Sequence, residues 1–124
     1  MSATHTYALL PVLDRCVLDE LREAAGDEMI DEVIHVFLED APMRLTALGA
    51  AVGDGIVEAV AREAHGLKGS ALGVGASRMA QACEMLEHTA RAGSLEDSSP
   101  RLQLVTRELE AVSKELHDAR GRTA

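Results

Sequence analysis

His65, Lys68 and Gly69 stand together in the stretch AHGLKGSALGVGA, residues 64–76. Their types and spacing suit a nucleophile that another molecule must reach. A neutral imidazole has a free lone pair near pH 7, because its unperturbed pKa is about 6.5, and that lone pair can attack phosphorus. A lysine three residues on can offset the charge of a phosphoryl group held on the ring. A glycine four residues on leaves room for an approaching partner. The stretch holds four glycines inside an apolar spacing that otherwise reads as helix, and each interior glycine costs roughly 0.5–1 kcal/mol relative to alanine. The helix gives up stability, and access to the histidine is the reason the neighbourhood suggests.

A helical wheel places these residues. At about 100° per residue, Val57, Val60, Ala64, Leu67, Ala71 and Val74 fall on one arc, the core side. His65 lies well away from it. Lys68 and Gly69 share its exposed side, as do Ala61 and Leu72, two apolar residues that would make a small docking patch around the histidine. Small residues on a helix can also serve close packing, and a lone lysine carries no message, so the combination is the signal. His5, His35, His88 and His117 have no such surroundings and read as solvated side chains.

The rest of the chain must position this helix. Apolar spacing is helical nearly throughout, which predicts an all-α fold. Leu10, Leu13, Val17, Leu18 and Leu21 form a short amphipathic helix ending near Gly26. A second helix runs from about Asp27 to Val52 through Ile30, Ile34, Phe37, Ala41, Leu45 and Leu48, unbroken but bent at Pro42, where a backbone donor is missing. Gly53-Asp54-Gly55 reverses the chain, with Asp54 placed to cap the helix that starts at Ile56 and carries His65. A fourth helix, about Ser77 to Ala92, presents Met79, Ala82, Cys83, Leu86 and Ala90 and stops at Gly93. SLEDSSP is a polar connector or an early helical turn, and Pro100 suits the first turn of a last helix with Leu102, Val105, Leu109, Val112 and Leu116 at 3-4-3-4 spacing. Four long helices joined by short turns predict an antiparallel four-helix bundle with the short N-terminal helix capping one end. The expected organisation is a flexible leader over residues 1–9, one domain over 10–120 and a frayed tail over 121–124.

Composition narrows the function classes. With 124 residues and 47% hydrophobic content, the chain suits one domain with one core. A net charge of −9 with one Phe, one Tyr and no Trp argues against nucleic-acid binding, which favours basic surfaces and stacking rings. No run of about 18 apolar residues spans a membrane, and MSATHTYALL lacks the features of a secretory signal, so a cytoplasmic protein is expected. Cys16 and Cys83 read as buried free thiols. A carboxylate-rich metal site is disfavoured: no Glu-x-x-His occurs on the inward faces, and Glu84-x-x-x-His88 has the wrong spacing. No GxxxxGK[ST] loop is present to cradle a nucleotide's phosphates.

AHGLKGSALGVGA resembles the signature of histidine phosphotransfer (HPt) domains, roughly His-x-x-Lys-Gly-Ser followed by a Gly-Ala pair near the helix end. The resemblance extends through LREAAGDEMIDEVIHVFLEDAPMRLTALGAAVGDG before it and QACEMLEHTARAG after it, over residues 10 to 117. It implies a monomeric four-helix bundle with His65 as phosphoacceptor, Lys68 beside the phosphate and Gly69 as clearance. The implied reaction is a reversible relay between His65 and an aspartyl phosphate on a response-regulator receiver domain, with a hybrid sensor histidine kinase upstream. The domain itself would hold no cofactor; the receiver would supply Mg²⁺, and autonomous kinase activity is not expected. Where several family members carry a glutamine on the following helix, this chain has Glu87, with Arg91 one turn on. Glu87 can accept the proton of one ring nitrogen and leave the other as nucleophile, with Arg91 offsetting its charge, or the two can form a simple surface pair. The alternative function is a non-phosphorylated helical adaptor that docks a receiver or kinase domain.

Overall fold

The computed structural model describes Tyr7 and residues 9–123, with side chains as far as residue 119. Five helices account for most of it: α1 (Arg15–Ala25), α2 (Asp27–Asp54), α3 (Val57–Val74), α4 (Ser77–Arg91) and α5 (Ser98–Thr123). No strand occurs among the described residues. None of these helices is long and apolar enough to cross a membrane. The expected flexible leader falls largely outside the described residues, and so do the side chains of the tail.

Each boundary has a local cause. Asp14 caps α1, its Oδ1 accepting the Cys16 N–H at 3.0 Å. The helix therefore starts at Arg15 and not near Leu10. Gly26, at φ 89, separates α1 from α2. The second helix runs unbroken through Pro42, whose missing donor faces solvent because the residue is exposed. It also continues through Gly53 to Asp54, so the reversal is made by Gly55 alone, left-handed at φ 69. Asp54 consequently ends α2 and does not cap α3, whose N-cap Ile56 has no side-chain hydrogen bond. Pro100 lies in the first turn of α5.

The core is a continuous set of apolar side chains shared by all five helices. Ile30, Ile34, Phe37, Ala41 and Leu48 from α2 meet Val60, Ala64, Leu67 and Ala71 from α3. Met79, Cys83, Leu86 and Ala90 from α4 and Val105, Val112 and Leu116 from α5 complete it. Burying each large member contributes on the order of 1.5–3 kcal/mol. Packing is most extensive between α3 and α4, then between α2 and α3. The alanines at their buried positions let these helices approach closely, which makes α3 a rigid mount for its exposed face.

The N-terminal segment is tied to the α3–α4 turn. The Asp14 N–H donates to Gly75 O at 2.7 Å, and the Arg78 guanidinium donates to Leu10 O at 3.2 and 2.9 Å. Arg78 also stacks over the Tyr7 ring, whose hydroxyl donates to Glu108. Gly75 is required twice over: its φ is +84, and a Cβ there would meet Asp14 O at 2.5 Å.

The cysteines differ from the expectation of two buried thiols. Cys83 is buried, and burial pushes its thiol up to about 12. Cys16 is exposed in the first turn of α1, where the buried side chain is Leu18. The neighbouring Asp14 carboxylate raises its pKa, which slows the thiol without hiding it. A thiol reagent should thus modify one cysteine per native chain and both after denaturation. Equal reaction of both in the native protein would show that the α3–α4 face opens readily.

Candidate functional site

α3 carries His65, Lys68 and Gly69 on consecutive turns, while Leu67 and Ala64, both 0% exposed, anchor the opposite face. The His65 side chain is 62% exposed, and its Nδ1 lies 3.0 Å from Oε2 of Glu87 on α4. Glu87 is almost entirely buried, its side chain only 9% exposed. The same Oε2 accepts from Arg91 Nε at 2.8 Å. Lys68 Nζ lies 3.5 Å from the other oxygen, Oε1. This is an ion pair without a directed hydrogen bond, since Oε1 is buried and has no hydrogen-bond partner among the described residues.

Burial alone would raise the Glu87 pKa. The Arg91 hydrogen bond, then the Lys68 charge, then His65 outweigh it, and the carboxyl ends below its ordinary value. It is therefore ionised at neutral pH and can only accept. Nδ1 of His65 must then be the protonated nitrogen, and in the neutral ring Nε2 bears the lone pair. The geometry yields an oriented imidazole whose free nitrogen is the one not turned into the protein.

Two depressions open along α3, one of them lined by His65. On the α4 side a cleft of about 490 Å³ is lined by Val57, Ala61, Arg62, His65, Ala90 and Arg91 among others. On the α2 side an apolar groove of about 280 Å³ is walled by Val33, Val36 and Phe37 and floored by Gly69 and Gly73. A Cβ added at either glycine would meet nothing within 4 Å among the described residues, so neither is needed for packing against them. Leu72 is 55% exposed.

The expected site residues fall together with one correction. Ala61 is 6% exposed and belongs to the core, not to an exposed patch. α3 packs on both α2 and α4, so its buried arc is wider than a single stripe and takes in the small residue one turn before His65. Lys68 is also less free than the wheel implied, its side chain 24% exposed and drawn toward Glu87. The Glu87–Arg91 pair is no simple surface pair, because Glu87 is buried and also binds the histidine. Sequence reasoning missed Arg62 and Gly73. The signals were present: Arg62 stands three residues before His65 and Gly73 four after Gly69, both on the accessible side of the helix. His35, His88 and His117 are exposed, as expected of solvated histidines; His5 lies outside the described residues.

A helical bundle presenting an oriented, accessible histidine beside a lysine and an exposed glycine is the arrangement of a phosphohistidine carrier. Residues 32–115 match the family model of the Hpt domain, and the chain belongs to that family. Its structure is similar to the crystal structure of histidine-containing phosphotransfer protein B (HptB) from Pseudomonas aeruginosa PAO1, with a TM-score of 0.86 and 33% sequence identity, covering 90% of this chain and 96% of that one. No curated protein matches the chain. Histidine phosphotransfer in a two-component phosphorelay is thus its function, and Hpt proteins are phosphoryl carriers that interact with receiver domains and kinases.

Proposed function

We propose that Nε2 of His65 is the phosphoacceptor, and the observation carrying this is the pairing of a 62% exposed ring with a buried carboxylate on its Nδ1. In the forward step the Nε2 lone pair attacks phosphorus of a receiver's aspartyl phosphate. The P–O bond to the aspartate breaks, its electron pair returns to the carboxylate, and the ring carries the phosphoryl group with Nδ1–H held by Glu87. Return to a receiver reverses these steps. Lys68 offsets phosphoryl charge, Gly69 leaves space for the receiver's loops, and Leu72 adds exposed apolar surface for docking. Arg91 supports the site by holding Glu87.

The wider reading follows from this chemistry. α2 to α5 form an antiparallel four-helix bundle with α1 capping the end at Gly75, supported by the reversals at Gly55 and Gly75 and by the ties from Asp14 and Leu10. The domain acts as a monomer in the cytoplasm without kinase activity of its own. A hybrid sensor histidine kinase and receiver domains are its partners, and Mg²⁺ for the transfer comes with the receiver.

Incubation with a phosphorylated receiver should transfer a label that is acid-labile and base-stable, the behaviour of a phosphoramidate. An acid-stable label would move the assignment to Ser70 or another hydroxyl.

A further inference from the structure

Glu87 is an unusual neighbour for a group that will carry a dianion. One carboxylate engages three nitrogen groups: Oε2 takes His65 Nδ1 and Arg91 Nε, while Oε1 faces Lys68 Nζ at 3.5 Å in an ion pair. In the resting site one negative charge thus faces two permanent cations. Other ionisable groups close by are Glu84 and His88, which line a depression with Lys68, Glu87 and Arg91, Glu58 and Arg62, which line the cleft beside His65, and the buried Cys83 thiol, which stays neutral. Lys68 is the loosest member of the cluster, since its contact is the longest and Oε1 receives no hydrogen bond.

Building on His65 as phosphoacceptor, we propose that Glu87 and the phosphoryl group compete for Lys68, and that Arg91 makes the exchange possible by keeping Glu87 neutralised when the lysine turns to the phosphoryl group. A glutamine at this position would still accept from Nδ1 but would exert no ionic hold on Lys68. The carboxylate therefore shortens the life of the phosphorylated state and favours passing the group on over storing it. Its loss to water is the balanced reference step. Water oxygen bonds to phosphorus, the Nε2–P bond breaks with its electron pair returning to Nε2, the ring keeps Nδ1–H, and the water's protons leave with phosphate and solvent.

The test is the lifetime of labelled protein after loading from a phosphorylated receiver and removal of the receiver. Glu87→Gln should lengthen the half-life by about two- to fivefold, the range one partly exposed ion pair spans. The gain should shrink clearly in a Lys68→Ala background. An equal gain in both backgrounds would mean plain repulsion by Glu87 and would overturn the competition. Arg91 is exposed, so Arg91→Ala should fold whatever Glu87→Gln does, and it should shorten the half-life, with Arg91→Lys restoring it. An unchanged or longer half-life in Arg91→Ala also overturns the proposal. If the wild-type protein takes no label at all, the assignment of His65 fails and the competition falls with it; labelled wild type with unaltered variants refutes the competition alone.

Discussion

His65→Gln should take up no acid-labile label from a phosphorylated receiver and yet unfold within about 4 °C of the wild-type midpoint. The two halves of this expectation have separate causes. The ring supplies the nucleophile that the site orients: Nδ1 is turned to Glu87, and Nε2 is left with the lone pair. Glutamine has no comparable nucleophile, so uptake falls to background. Stability hardly depends on the ring, because its side chain is mostly in solvent and the core beneath it is built from Ala64 and Leu67. Its hydrogen-bond partner Glu87 keeps Arg91 and Lys68, and the new amide can still donate to it. The cost is about 1 kcal/mol or less, a few degrees for a domain of this size. Far-UV circular dichroism, thermal melts and receiver labelling check both halves together. Persistent acid-labile label would place the acceptor on another histidine, and a large fall in the midpoint would make the loss of labelling uninformative about chemistry.

What was legible in the sequence follows from which interactions are local. α2 to α5 were readable because their apolar residues recur every three or four positions, and a repeat of that period buries one face wherever the helix is placed. The motif helix was readable for the same reason, and so was the accessible side of His65. Pairings between helices were not. Glu87 is buried because α4 lies against α3, and a wheel of α4 alone offers a glutamate and an arginine one turn apart, the pattern of an exposed pair. Ala61 was misplaced by the converse error, since a wheel gives the angle of a residue and not the width of the arc that two neighbours cover. Cys16 and Asp54 depended on single boundary residues: α1 begins where Asp14 caps it, and α2 ends where Gly55 turns left-handed. Each alternative boundary shifted a side chain from one environment to another.

The glycine that ends α3 and the glycine nearest His65 on its exposed face are held for different physical reasons, and the second of them yields a demanding test. Gly75 is fixed by its positive φ and by the Asp14 carbonyl, so replacing it strains the turn. Gly69 has helical backbone, sits exposed, and would meet nothing within 4 Å if it gained a Cβ. No packing contact among the described residues explains its presence. Gly69→Ala should therefore stabilise the protein by up to about 1 kcal/mol, the usual gain for an interior helical glycine, and raise the midpoint by a few degrees. The same methyl enters the floor of the groove that Val36 and Phe37 wall on the α2 side, one helical turn from His65. Transfer from the receiver should slow even as the melting temperature rises. Gly69→Gln carries the argument further: its longer side chain fills the approach, and receiver binding itself, measured by titration calorimetry with an unphosphorylated receiver, should fall at least about tenfold, the effect of losing about 1.4 kcal/mol. The informative outcome is the opposite sign of the two effects, because a residue kept for packing loses stability and activity together. A Gly69→Gln variant that binds and transfers normally would refute the clearance role, and the open space above this glycine would then have no function in the relay.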